Sequence, residues 1–284
     1  MDFSDCDPEN IHSSIVSGIE SLGPLALGNN SFPDHVHEYS HRNGCYYLNK
    51  NNKKTAILFG ELASAEEGTE TSAHGDFFKN HDANESITDK SRVRDIYALR
   101  KPRGGWEIQA LFERQVANLN DIRLHGLERE EMDNRITSVD DWTKPTETNL
   151  EETILVHSKL KFKADITIPE YSQRIQRSPF LEDVDNLIHP RDNHQLHVGR
   201  PYAAEVLPDY DKKVFSLRSA KVIQQDTKDN RGNLIPPWQN EAVLRPGQLL
   251  LIEGTLYCQI IRTKSVSVKK YRITAEWIKI LSPV

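Results

Sequence analysis

The sequence predicts a β-rich fold, between all-β and α+β, in which antiparallel sheets or barrels carry one short N-terminal helix and long polar loops. Three observations predict it. After the turn at Arg245-Pro246-Gly247, the chain runs through Leu249-Leu-Leu-Ile-Glu-Gly-Thr-Leu-Tyr-Cys-Gln-Ile-Ile261, a long β-type run. Tyr271 to Trp277 then alternates strictly, with Tyr271, Ile273, Ala275 and Trp277 on one face and Arg272, Thr274 and Glu276 on the other. A helical stripe is read between Asn10 and Leu22, where Ile11, Ile15, Val16, Ile19 and Leu22 fall along one side.

The remaining elements follow in chain order. Cys45 to Lys50 and Thr55 to Gly60 flank the polar Asn51-Asn-Lys-Lys54, which reads as a hairpin. Ala63 to Arg94 is poor in apolar residues and reads as a long surface loop, mobile unless a ligand or partner fixes it. Asp95 to Lys101 and Trp106 to Phe112 alternate on either side of Pro102-Arg-Gly-Gly105, the pattern of a second hairpin. The acidic stretch from Leu127 to Asn149 reads as a solvated connector. It divides the chain into an N-terminal β-rich unit, residues 1–145, and a C-terminal β unit, residues 150–284. Beyond it, Leu160, Phe162 and Ala164 alternate with Lys161, Lys163 and Asp165 in a new β-type run. The parity of apolar residues changes after Trp277, since Ile278 and Ile280 lie on the opposite phase, so a bulge is expected at Trp277-Ile278.

Composition narrows the class. A chain of 284 residues with 37% hydrophobic and 27% charged residues can bury a real core. Its three cysteines, Cys6, Cys45 and Cys258, are too few and too scattered for a disulfide scaffold. The acidic N-terminus lacks the order of a secretory signal, and no apolar run approaches the roughly 20 residues of a membrane span. Cytoplasmic or nuclear residence is the expectation. The net charge of −6 is uneven: residues 198–284 hold 14 Lys and Arg against 8 Asp and Glu, a net of +6, which leaves −12 for the rest. A basic third suits phosphate binding or docking onto an acidic surface.

Several constellations suggest chemistry. His35, His37, His41 and Cys45 offer four donors suited to zinc, although their spacing matches no structural zinc motif and surface histidines explain them as well. His74-Gly-Asp76 supplies two of the three ligands of a non-haem iron facial triad. With it, Arg245 to Cys258 resembles a late strand of the double-stranded β-helix of 2-oxoglutarate-dependent oxygenases. That resemblance implies Fe(II) and 2-oxoglutarate as cofactors, with Arg272 pairing the cosubstrate. It departs from the pattern at Cys258, where a histidine is expected, leaving His125, His157 or His197 as third ligand. A nucleophile elbow and a phosphate-binding glycine loop are both absent from the sequence.

The basic C-terminal segment is the leading candidate. Arg262, Lys264, Lys269, Lys270, Arg272 and Lys279 interleave with Tyr257, Tyr271 and Trp277, joining cations to π-faces as a groove for single-stranded nucleic acid requires. Residues 198–284 resemble an OB-fold barrel, with strands drawn from Arg200 to Leu207, Val214 to Gln224, Gly247 to Arg262 and Tyr271 to Leu281. A plainer reading stands beside it: antiparallel strands carry Lys and Arg on their solvated face and aromatics in the core. On this parity Tyr271 and Trp277 belong to the core, and function belongs to the opposite, basic face. The expected function is a non-enzymatic binding module whose C-terminal basic face contacts single-stranded nucleic acid or a protein partner. The alternatives are the iron oxygenase, with His74 and Asp76 as ligands, and a structural subunit of a complex.

Overall fold

The computed structural model describes residues 11–32, 34, 36–41, 44–48, 55–79, 81–128, 136–145, 152–164, 196–262 and 267–281. Helix α1 (Ile11–Leu22) matches the predicted stripe and buries Ile15 and Ile19. The strands are β1 (His37–His41), β2 (Gly44–Leu48), β3 (Thr55–Leu62), β4 (Ile87–Thr88), β5 (Ile96–Arg100), β6 (Ile136–Asp140), β7 (Thr143–Pro145) and β8 (Glu152–His157). They continue as β9 (Phe162–Lys163), β10 (Pro201–Tyr202), β11 (Phe215–Ser216), β12 (Lys221–Ile223), β13 (Thr227–Lys228), β14 (Leu249–Arg262) and β15 (Ser267–Ile280). The fold is β-rich, as expected.

The two long C-terminal strands organise the main sheet. One edge of β14 is paired with β15 almost throughout; its other partners are β3, along Leu249–Thr255, and then β2, along Tyr257–Gln259. β3 pairs with β5, β5 with β8, and β8 with β15, so the order β14-β3-β5-β8-β15 returns to β14 and closes on itself. Two of these five strands come from residues 198–284, and three come from earlier in the chain. The expected division at residues 145–150 falls between β7 and β8, which pair with each other.

The expected hairpin of residues 45–60 does not form. β2 and β3 run in the same direction and both pair with β14, so the chain leaves β14 after Tyr46 and rejoins it at Thr55. The polar Asn51–Lys54 insertion lies outside the described residues. β2 has its hairpin partner in β1, the segment preceding it.

The second expected hairpin is also corrected. Trp106 to Phe112 opens helix α2 (Trp106–Glu128). The alternation of Trp106, Ile108, Ala110 and Phe112 suggested a strand, but the buried positions Ile108, Leu111, Phe112, Gln115, Asn118, Leu119 and Ile122 follow a helical repeat. Two of them are polar and bind backbone that a sheet would otherwise satisfy. The Gln115 side chain accepts from the Phe59 amide and donates to its carbonyl at 2.9 and 2.8 Å, and Asn118 donates to Leu27 O at 2.6 Å. These bonds fasten α2 to β3 and to the turn after α1.

Ala63 to Arg94 is irregular, yet it is packed rather than a loose surface loop. Its Ala73, Phe77, Ile87 and Val93 are buried with Phe162, Tyr202, Val206, Phe215 and Val222 in a second core. Asp89 collects the amides of Arg218, Ser219 and Ala220, led by the Ala220 bond, which hold its carboxyl down at about 2. This explains how so polar a stretch keeps its shape: short turns tie it to residues 201–222. Lys161, which alternates in sequence with the apolar Leu160 and Phe162, is buried here too, 2.6 Å from Asp95. The supposedly solvated connector likewise contributes β6, β7 and the buried Trp142, whose ring packs between Tyr47 and Tyr271.

The bulge in β15 lies one residue from its expected place. Glu253 pairs with Trp277 and Gly254 with Ala275, which leaves Glu276 as the extra residue. Before it Tyr271, Ile273 and Ala275 are buried; after it Ile278 and Ile280 are. Trp277 is partly buried, and its indole N–H donates to Glu253. Opposite the bulge, Gly254 has no room for a side chain, since a Cβ there would lie 2.6 Å from Ile273 Cγ2. Among the described residues no helix is long and apolar enough to cross a membrane.

Candidate functional site: a cationic cleft over β14 and β15

Because Cys258 and Tyr271 face the core, their neighbours Tyr257 and Arg272 must face away from it. Over that outer face lies an open cleft of about 840 Å³. β14 supplies Thr255, Tyr257, Gln259 and Ile261 to its floor, and β15 supplies Lys270, Arg272, Thr274 and Glu276. Tyr46 of β2 and His157 of β8 extend the floor on either side, while Arg92, Arg94, Lys159 and Asp76 form the rim.

Register aligns an aromatic row across this floor. Tyr39 is directly opposite Tyr46, Tyr46 opposite Tyr257, and Tyr257 opposite Arg272, and directly opposed residues share a face of the sheet. The Tyr46 and Tyr257 rings are 6.0 Å apart and tilted by 44°. Tyr39 is 52% exposed at the outer end of the row.

The electrostatics favour an anion. Arg92, Arg94, Lys159, Lys270 and Arg272 line the cleft with two carboxylates, Asp76 and Glu276. Lys159 is 2.6 Å from Glu276. Burial pushes the Glu276 carboxyl up, but hydrogen bonds from Lys159 and Thr255 outweigh it and hold it below the usual carboxylate range. Arg272 donates to His157 Nε2 at 2.7 Å and to Asp140 at 3.1 Å, so its guanidinium is fixed in place. Burial, reinforced by the charges of Arg272 and Arg94, pushes the His157 imidazole down to about 3, so at neutral pH it is an uncharged acceptor for Arg272. Arg94 donates to Ser158 O at 2.6 Å. Arg92 is exposed and has no ion-pair partner among the described residues. Lys270 is 4.0 Å from the same Asp140, and the five cations of the lining outnumber its two carboxylates, so the cleft is positive.

The predicted site residues divide between three environments. Lys270 and Arg272 are in the cleft. Lys269 falls on the inner parity, 2% exposed, with its ammonium 5.0 Å from the Tyr271 ring centre, and so does not belong to the basic face. Lys279 pairs across to Leu251 and Lys228, away from the cleft lining. Lys264 and the Arg262 side chain lie outside the described residues, as do His35 and the side chains of His37 and His41. Arg92, Arg94, Lys159 and Tyr46 were not foreseen, because the segments carrying them show no local signal of meeting.

Among the described residues His74 and Asp76 do not converge on a metal site, and the His125 side chain lies outside them. The His74 ring bonds Ser72 Oγ at 3.0 Å and packs against Phe78. Asp76 accepts the Arg94 amide at 2.8 Å, and burial pushes its carboxyl up. Among the described residues no three His, Cys, Asp or Glu form a group that could hold a metal ion, so the oxygenase reading lacks its third ligand there.

No protein-family model matches the chain, and no curated protein matches it significantly. Among solved structures it is similar to the crystal structure of gp2.5, a single-stranded DNA-binding protein encoded by bacteriophage T7. The identity is 11% and the TM-score 0.37, over 80% of this chain and 92% of that one.

Proposed function

We propose that the cleft binds single-stranded nucleic acid, with bases stacked on the tyrosine row and phosphates held by the surrounding cations. The observation that carries this reading is the row Tyr39, Tyr46, Tyr257 and Arg272 running across four adjacent strands beside Arg92, Arg94 and Lys270. Aromatic faces accept any base, and each stack contributes about 1–3 kcal/mol. Neutral His157 supports the same role, since it helps orient Arg272 without adding negative charge to that of Asp140, which holds the same guanidinium. The closed strand order β14-β3-β5-β8-β15 supports an OB-like barrel, whose exposed sheet face is suited to an extended polynucleotide.

Fluorescence anisotropy with a labelled oligothymidylate tests the proposal. If Arg92, Arg94 and Lys270 each neutralise one phosphate, log K falls against log salt with a slope of about −2, since each contact contributes about −0.7 for a single strand. Tyr257→Ala weakens binding by roughly 5- to 150-fold at constant salt, the equivalent of one lost stack. Absence of salt-sensitive binding, or equal affinity for a blunt duplex, overturns the reading.

A further inference from the structure

Beneath the cleft floor the same strand pair carries a second arrangement. Cys45 of β2 and Cys258 of β14 are direct partners in an antiparallel ladder, one residue along from the Tyr46 and Tyr257 pair and on the opposite face. Directly opposed residues in such a ladder have Cα atoms about 4.5–5.5 Å apart. A disulfide takes Cα separations of roughly 4.4–6.8 Å, so this register admits the bond without strand movement. Neither cysteine is in a disulfide; Cys45 is half-buried and Cys258 buried.

We propose that Cys45 and Cys258 are a reversible disulfide site, closed by thiol–disulfide exchange with a small disulfide such as oxidised glutathione. The surroundings suit that chemistry. Cys258 lies opposite Tyr271, and the buried ammonium of Lys269 sits over the Tyr271 ring. The hydrogen bond with Cys258 lowers the Cys45 thiol from its ordinary value, and Tyr47 and Lys269 add to this against burial and the Glu38 charge. Cys45, the more accessible of the two, is therefore the sulfur that meets the oxidant first. The Cys45 thiolate attacks one sulfur of oxidised glutathione, forming a mixed disulfide and releasing one glutathione thiolate. The Cys258 thiol gives up its proton and attacks Cys45 Sγ, forming the protein disulfide and releasing the second glutathione. Two protein thiols are oxidised and one glutathione disulfide is reduced to two thiols, so the exchange balances. The bond would join β2 covalently to β14, independently of what the cleft binds.

The test treats the full chain with oxidised glutathione at neutral pH, quenches with acid, and counts alkylatable thiols. The count falls from the three cysteines of the sequence to one, the intact mass drops by two hydrogens, and peptide mapping finds Cys45 linked to Cys258. A reductant reverses it. Cys258→Ser halts at a glutathione adduct on Cys45. Because Cys258 is buried and its variant can fail to fold, Cys45→Ser at the half-buried position provides a second check and forms no internal bond. A persistent glutathione adduct on Cys45 in the unaltered chain, a link to Cys6, or three free thiols after prolonged treatment overturns the proposal.

Discussion

Replacing Lys161 by Met is the sharpest test of how the two cores are joined. The Lys161 ammonium lies 2.6 Å from Asp95 and donates to Thr71 O at 3.3 Å and Ser72 O at 2.5 Å. The two side chains are 8% and 2% exposed. Removing the cation leaves a buried carboxylate with the Tyr97 hydroxyl at 3.4 Å and frees two carbonyls. Breaking a buried pair from one side costs roughly 3–5 kcal/mol. For a domain of this size each kcal/mol lowers Tm by about 2–4 °C, so 3 kcal/mol corresponds to about 6–12 °C by calorimetry. The loss also depends on pH. Burial pushes the Asp95 carboxyl up, against the pull of Lys161. A raised folded pKa gives stability that is fully present below the unfolded value near 4 and falls as pH rises through the folded value. Without Lys161 the folded value rises further, so the deficit of Lys161→Met is smaller at pH 5 than at pH 8. A pH-independent deficit, or one under about 1 kcal/mol as for an exposed pair, refutes the reasoning.

Other outcomes follow from the same geometry. Gly254→Ala, whose methyl would sit 2.6 Å from Ile273 Cγ2, costs about 1–3 kcal/mol in urea denaturation. Because burial depresses His157 to about 3, its contribution is present above about 6.5 and is lost as pH falls toward 3, by up to about 1.4 kcal/mol per unit. His157→Gln, which keeps an acceptor for Arg272, flattens that part of the stability profile measured from pH 7 to 4; an unchanged profile counts against a buried neutral imidazole. Lys270→Gln makes the salt slope of oligonucleotide binding shallower by about 0.7, whereas Lys279→Gln, off the cleft, leaves it unchanged.

The long strands were legible because their own residues carry the alternation. Tyr271, Ile273 and Ala275 revealed the buried face of β15, and the phase change at Ile278 located the bulge to within one residue. Helix α2 was misread because Gln115 and Asn118 interrupt its apolar stripe. Their amides bind backbone in the interior, a role that a hydrophobic pattern does not register. The Ala63 to Arg94 stretch was misread for a related reason: few apolar side chains suffice when carboxylates such as Asp89 secure the turns. At the cleft, strand parity identified Arg272 as outward-facing, and Lys270 was named for its charge. Lys269 was grouped with its neighbours by a count of positive charge, and only the structure places it inward, beside Tyr271. Arg92, Arg94 and Lys159 depend on how distant segments fold over β15, which no local spacing encodes.

The seam between β3 and β14 imposes an order of events during synthesis. Thr55–Leu62 emerges from a ribosome long before Leu249–Thr255, its antiparallel partner. Until then the nascent chain carries Ala56, Leu58, Phe59 and Leu62 without the strand that completes their burial, and a contact of such high sequence separation forms slowly. α2 is synthesised much sooner, and its Gln115 grips the Phe59 backbone directly. The helix can thus act as a temporary cover, shielding β3 from association with other nascent chains while the ring remains open.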